Sequence, residues 1–112
     1  MTNPIRTDAA ATRIAERQPF RTHGELSADT VDASSATRIG RLPRDLEALW
    51  RADWKASHGQ MYAVWSYSTP IAWWTPRHGW RIPDETYSIT TATRHRPQLR
   101  LITAEARRAL AA

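Results

Sequence analysis

The segment Met61 to His95, reading MYAVWSYSTPIAWWTPRHGWRIPDETYSITTATRH, constrains the fold more than any other part of this chain. It carries seven of the ten aromatic residues, so most of the side chains able to build a core are here. Tyr62, Val64 and Ser66 alternate with Ala63, Trp65 and Tyr67, the period of a strand. Ser68-Thr69-Pro70 interrupts that strand as a bend or bulge, because proline has no N–H to give to a ladder. Ile71–Trp74 is a second strand. Thr75-Pro76-Arg77-His78-Gly79 is a turn, Trp80–Ile82 a third strand, Pro83-Asp84-Glu85 another turn, and Thr86–Thr91 a β-branched fourth strand. The pattern is an antiparallel meander.

One strong helix precedes it. Pro43 starts it, Asp45 and Glu47 sit where the macrodipole favours negative charge, and Leu46, Leu49, Trp50 and Trp54 share one side. Gly59 supplies the stop, giving a helix over about 43–57 with Trp50 and Trp54 in the core. Upstream, Asp8–Arg17 reads as a short helix with Ile14 as its main apolar residue and little to bury. Phe20–Leu26 reads as a short strand, and Ser27–Ala36 as a Ser/Asp/Ala/Thr loop with Ser34 and Ser35 solvated. The expected organisation is a flexible segment over 1–18, one domain over 19–102, and a short C-terminal helix or tail over 103–112. The expected fold class is α+β: a small twisted antiparallel sheet packed on one main helix, with flexible termini.

Composition narrows the chemistry. The chain has 112 residues, enough for one small domain. It has no cysteine, which removes disulfides, thiolate catalysis and cysteine zinc sites. No apolar run reaches the roughly 18–20 residues of a membrane span, and no signal-peptide core is visible, so the expected compartment is the cytoplasm. The formal net charge is +5. Such a field attracts phosphate-rich partners. Arginine also supplies every basic residue except Lys55, a bias that a GC-rich coding sequence produces equally well.

Two strings resemble a small domain of unknown function found in phages and high-GC bacteria. The first is Tyr62-x-Val64-x-Ser66-Tyr67-x-Thr69-Pro70-Ile71-Ala72-Trp73. The second is the close Tyr87-Ser88-Ile89-Thr90-Thr91-Ala92-Thr93-Arg94-His95-Arg96, which has one extra residue before Arg94-His95 and Arg96 where that group has glutamine. Pro19-Phe20-Arg21-Thr22-x-Gly24-x-Leu26 and Gly40-Arg41-Leu42 are similar to the same group upstream. The resemblance covers about residues 19–96. It implies a fold unit and a phage or mobile-element setting, and no activity.

Metal binding is poorly supported, since His23, His58, His78 and His95 show no ligand spacing and no carboxylate cluster joins them. No cofactor motif is present, and the four glycines form no phosphate-binding loop. There is no G-x-S-x-G elbow, and Ser66 and Ser68 fall in a strand and a bend with no base assigned to them. Tyr87, Ser88, Thr90, Thr91, Arg94 and His95 do concentrate hydroxyls, a guanidinium and an imidazole. A metal-independent, toxin-like ribonuclease would use His95 as acid or base, with Arg94 (or Arg81) and Tyr87 in support.

A non-catalytic binding module is the better supported class. Trp73 and Trp74 point to opposite faces of their strand, so either one is exposed or both are covered. The covers would be the 43–57 helix on one side and the N-terminal segment or a second subunit on the other. An exposed aromatic near Arg77, Arg81, Arg94 and Arg96, with Tyr87, Thr90, Thr91 and His95 beside it, would suit nucleic acid or a host protein. Oligomeric state is left open.

Overall fold

A computed structural model describes residues 3–84, 88 and 90–103. Five strands form one sheet in sequential order: β1 (Phe20–Arg21), β2 (Leu26–Thr30), β3 (Tyr62–Ser66), β4 (Thr69–Thr75) and β5 (Gly79–Arg81). Every pairing is antiparallel, the expected meander extended upstream by two strands. α1 (Ala10–Ala15) and α2 (Arg44–Ser57) are the helices, and residues 90–103 form a continuous helical closing segment.

β3 is central, and all five of its side chains are buried. Tyr62 and Val64 join Ile14, Leu26, Ile71, Leu99 and Ile102 on one face of the sheet. Ala63 and Trp65 join Val31, Trp50, Met61 and Trp73 on the other. The sheet therefore has a layer on each side: α2 with the 31–42 loop on one, α1 with the closing segment on the other. Val64 opposes Ala72 while Trp65 opposes Pro70, so Ile71 is the extra residue of a bulge. That bulge turns both Ile71 and Ala72 into one core and is where a strand accepts proline.

Trp50 of α2 seats edge-on between two sheet tryptophans, its ring 5.2 Å from Trp73 and 6.1 Å from Trp65. Each of the three indole N–H groups finds an acceptor. Trp50 donates to the Ala36 carbonyl, Trp65 to the Arg38 carbonyl, and Trp73 to the Asp53 carboxylate. Asp53 is buried on α2 three residues after Trp50 and also takes Arg81 Nε at 2.6 Å. Arg81 Nη2 adds a third donor at 3.2 Å, and a charge in that position is tolerable because the three hold it.

Four expectations are corrected. Ser27–Ala36 does not form a loop throughout: its first part belongs to β2, paired on both sides, with Leu26 and Ala28 buried and the short Ser27 and Asp29 between them. The strand expected over Phe20–Leu26 is interrupted, because residues 22–25 turn the chain and Glu25 takes a left-handed φ of 68°. The N-terminal helix does have a face to bury: Ala10, Ala11 and Ile14 are covered, and α1 packs on the closing segment. The fourth strand expected over Thr86–Thr91 is not what Thr90 and Thr91 form. They begin the closing segment as helix, and Thr91–His95 makes a wide π-type turn in which the Thr91 hydroxyl is bonded to Ser66 and Ser88. Residues 86, 87 and 89 of that expectation, and 104–111 of the expected terminal helix, lie outside the described residues.

Removing Asp53 tests the polar anchor of the α2 layer. Asp53→Ala leaves the Arg81 guanidinium and the Trp73 N–H without their acceptor. It is expected to cost about 3 kcal/mol or more of unfolding free energy in a urea titration.

Candidate functional site

The site begins where β3 ends. The turn Ser66-Tyr67-Ser68-Thr69 connects β3 to β4, and Tyr67 sits in it at φ 56°. A bulky residue pays roughly 1–2 kcal/mol for the left-handed conformation. The contacts around the turn hold it there. Tyr67 N–H donates to the Glu25 carbonyl at 2.8 Å, and Arg38 donates to the Tyr67 carbonyl. Gly40, itself at φ 48°, lies so close that a Cβ there would strike Thr69 Oγ1 and the Ser68 backbone. Arg41 N–H then donates to Thr69 Oγ1 at 2.8 Å. The left-handed backbone also breaks strand alternation, carrying the Tyr67 ring to 5.8 Å from the His95 ring while leaving it 45% exposed.

Behind the turn lies a buried polar chain. Ser66 Oγ is 2.6 Å from His95 Nδ1 and 2.6 Å from Thr91 Oγ1. His95 Nε2 is 2.6 Å from the Gly24 carbonyl oxygen. Ser88 Oγ is 3.0 Å from Thr91 Oγ1 and accepts the Thr91 N–H. A carbonyl oxygen only accepts, so Nε2 carries the imidazole proton and Nδ1 is left with a lone pair. Ser66 therefore donates to His95, Thr91 donates to Ser66, and Ser88 donates to Thr91. One backbone carbonyl thus orders four side chains.

His95 has no exposed surface. Burial pushes its pKa below the usual 6.5, against the Gly24 hydrogen bond and the Glu25 charge that favour the cation. In the neutral ring that burial favours, Nε2–H donates to the Gly24 carbonyl and Nδ1 accepts from Ser66. Ser66, Tyr67, Ser68, Thr69, Ser88, Thr90 and Thr91 line a cleft of about 560 Å³ together with Gly40 and Arg41. A second cleft, of about 450 Å³, lies on the other side of Gly24, with Arg6, His23 and Arg94 in its wall.

The structure separates the residues expected to form one surface. Trp73 is wholly buried, Trp74 is partly buried with the Arg17 guanidinium 4.0 Å from its ring centre, and the covers are α2 and the N-terminal segment. Arg81 is paired with Asp53, and Arg77 is exposed in the β4–β5 turn next to His78, whose Nε2 approaches Asp53 at 3.9 Å. Thr90, Thr91, Arg94, His95 and Arg96 all lie on the closing segment: Thr90 and Thr91 line the first cleft, Arg94 the second, and His95 is the buried hinge between them. Arg96 is half-buried just beyond His95, and Tyr87 lies outside the described residues. Gly24, Gly40 and Tyr67 are not among the expected site residues, Ser66 was set aside for want of a base, and Ser88 was named only within the hydroxyl-rich close. All five fall in the segments carrying the family resemblance. Among the described residues no group of three or more metal-ligating side chains comes together, and no helix is long and apolar enough to cross a membrane.

The profile of a family of unknown function (DUF8033) matches residues 47–107, more than half of the chain. That span takes in most of α2, strands β3 to β5, the Tyr67 turn and the closing segment. No curated protein and no solved structure matches.

The depressed His95 pKa gives a signed expectation. The unfolded chain takes up a proton near pH 6.5 while the folded chain resists, so stability falls as pH drops from about 7 toward the folded-state pKa. Urea midpoints measured between pH 8 and 5 should decline over the acid part of that range. The same series in His95→Gln should show a shallower decline whatever its absolute stability.

Proposed function

We propose that this chain, which belongs to the DUF8033 family of unknown function, is a small binding module that engages single-stranded nucleic acid through the Tyr67 turn and its basic surroundings. The observation that carries this reading is the exposed Tyr67 ring, held in a strained left-handed turn at the mouth of a cleft shared with Arg41. Nothing in the packing of the core needs an aromatic ring outside it. A base needs one on which to stack, and stacking tolerates any sequence because every base has a π-face. Backbone strain of this kind persists where surrounding contacts enforce it, and is concentrated at sites that bind.

The electrostatics support the same partner. The chain carries a net charge of +5, and Arg94 lines the second cleft together with Arg6, which is paired there with Asp8 at 3.2 Å. A strand stacked on Tyr67 and running over Gly24 would pass from one cleft to the other with cationic groups at both. A phage or mobile-element setting, which the resemblance implies, is part of this proposal. A host protein as partner draws on the same exposed Tyr and Arg side chains. The ribonuclease reading is less favoured by the geometry: His95 has both ring nitrogens occupied and no surface for a 2′-hydroxyl to reach.

Two measurements test the binding reading. Affinity for a short single-stranded oligonucleotide should fall steeply with salt, the slope counting the phosphates neutralised. A flat salt response, or no shift at low salt, sinks it. Tyr67→Gly removes the ring and relieves the positive φ together. It should weaken binding by about tenfold or more, on the scale of roughly 1–3 kcal/mol per stacked base. Its unfolding free energy should stay at or slightly above that of the parent protein.

A further inference from the structure

The binding reading centres on the cleft beside Tyr67 and uses the cleft on the other side of Gly24 only as a passage. Three separate segments build that second cleft: residues 5–8, the turn at His23 and Gly24, and the part of the closing segment from Thr93 to Gln98. Arg94 and Gln98 are four residues apart on the helical closing segment, a spacing that puts two side chains on one side of it, and both line the cleft. We propose that this cleft, of about 450 Å³, is a phosphomonoester-binding site in which the Arg94 guanidinium, the Gln98 amide and the Thr7 hydroxyl share the three terminal oxygens of one phosphate. The site deepens the binding reading, and rests on it only where the phosphate is the terminal one of a strand.

Arg94 is exposed and enters no ion pair among the described residues. Its planar fork fits two oxygens of a phosphate. Gln98 is the unusual member, a polar side chain only 8% exposed beside the core residues Leu99 and Ile102. Its Oε1 accepts from Arg100 at 3.4 Å, while Nε2 has no acceptor among the described residues. A covered amide N–H without an acceptor is costly. Among the described residues the side-chain atoms sealed off without a partner are the Trp54 and Trp80 N–H groups. Gln98 Nε2 is not one of them, so it keeps open surface, and the cleft is the space it adjoins. Gly24 supplies room for the third donor: a Cβ there would stand 2.7 Å from Thr7 Oγ1, so a bare turn lets that hydroxyl lie against it. His95 holds the turn from behind by donating to the Gly24 carbonyl.

Charge and donor count select the ligand. The one carboxylate on the cleft is Asp8, and Arg6 holds it through two bonds of 3.2 Å, which neutralises it and leaves Arg94 as the uncompensated charge. A carboxylate ligand offers two oxygens, which the Arg94 fork alone would occupy. A phosphodiester also has only two free oxygens. A phosphomonoester has three, enough for the guanidinium, the amide and the hydroxyl together, and its second negative charge strengthens each bond.

The test follows ¹H–¹⁵N spectra of the whole protein titrated with inorganic phosphate, chloride keeping the ionic strength constant. The expected result is saturable shifts of the Gln98 side-chain amide, the Arg94 Nε–H and the Gly24 amide. Phosphate affinity should fall about tenfold in Gln98→Met, which keeps the length of the side chain and removes its donors. It should fall at least as far in Arg94→Gln, at an exposed position that does not put the fold at risk. If Gln98→Met does not fold, Arg94→Gln decides alone. A second arm compares one short single strand with and without a terminal phosphate. The phosphorylated strand should bind more tightly, and Arg94→Gln should abolish the difference. Shifts that chloride produces equally overturn the proposal, as does undiminished phosphate affinity in Arg94→Gln. Phosphate binding without binding of either strand keeps this site for free phosphate esters and removes the Tyr67 reading. Equal binding of both strands by a protein that shows no phosphate shifts keeps the Tyr67 reading and removes this one.

Discussion

Burial of β3 on both faces is the constraint from which the rest of this structure follows. A strand whose five side chains are all covered needs a layer above and a layer below. α2 alone covers only the face bearing Ala63 and Trp65. The other face, bearing Tyr62, Val64 and Ser66, needs α1 and the closing segment, and these short elements gain their hold from that surface. Helices of this length are not stable by propensity; tertiary packing of their apolar sides keeps them in place.

Covering both faces also encloses polar groups, and the enclosed groups set the details. On the α2 side Asp53 collects the Trp73 indole and the Arg81 guanidinium, which ties β4 and β5 to the helix. On the other side Ser66 stands at the end of β3, where an unpaired hydroxyl would be costly. His95, Thr91 and Ser88 answer it, and the Gly24 carbonyl answers His95 in turn. The same bonds fasten the closing segment to the sheet and to the turn between β1 and β2. The Tyr67 turn beside it joins β3 to β4 and is fastened to Glu25 and Arg38, but its half-exposed ring lies outside the two cores, which is why it stands out as a place for a ligand.

The meander and the main helix were legible because their signals are local. Alternation of Tyr62 to Tyr67, proline at a bulge, and Trp50 and Trp54 at helical spacing each report a backbone period without reference to distant residues. β2 was not legible, because Leu26-Ser27-Ala28-Asp29-Thr30 has loop composition and becomes a strand only by pairing with β1 and β3. Thr90 and Thr91 failed in the opposite sense. Their β-branched side chains favour a strand, and the hydrogen bonds of Thr91 to Ser66 and Ser88 decide for a helical turn instead. The candidate site was half visible: Thr91 and His95 were singled out by chemistry, whereas Ser66 was set aside for want of a base that lies 29 residues away in sequence.

What the sequence determined by itself was therefore the α+β class, the antiparallel order, the absence of cysteine chemistry and the basic charge, all of which depend on residue type and near-neighbour spacing. Only the tertiary structure decided that Trp73 is buried and Trp74 partly covered, that Tyr67 is the exposed aromatic among the described residues, and that Ser66, His95 and Gly24 share one line of hydrogen bonds. The reason is physical. A period specifies which way a side chain points, but its exposure and its proton partners are set by whichever distant segments pack against it.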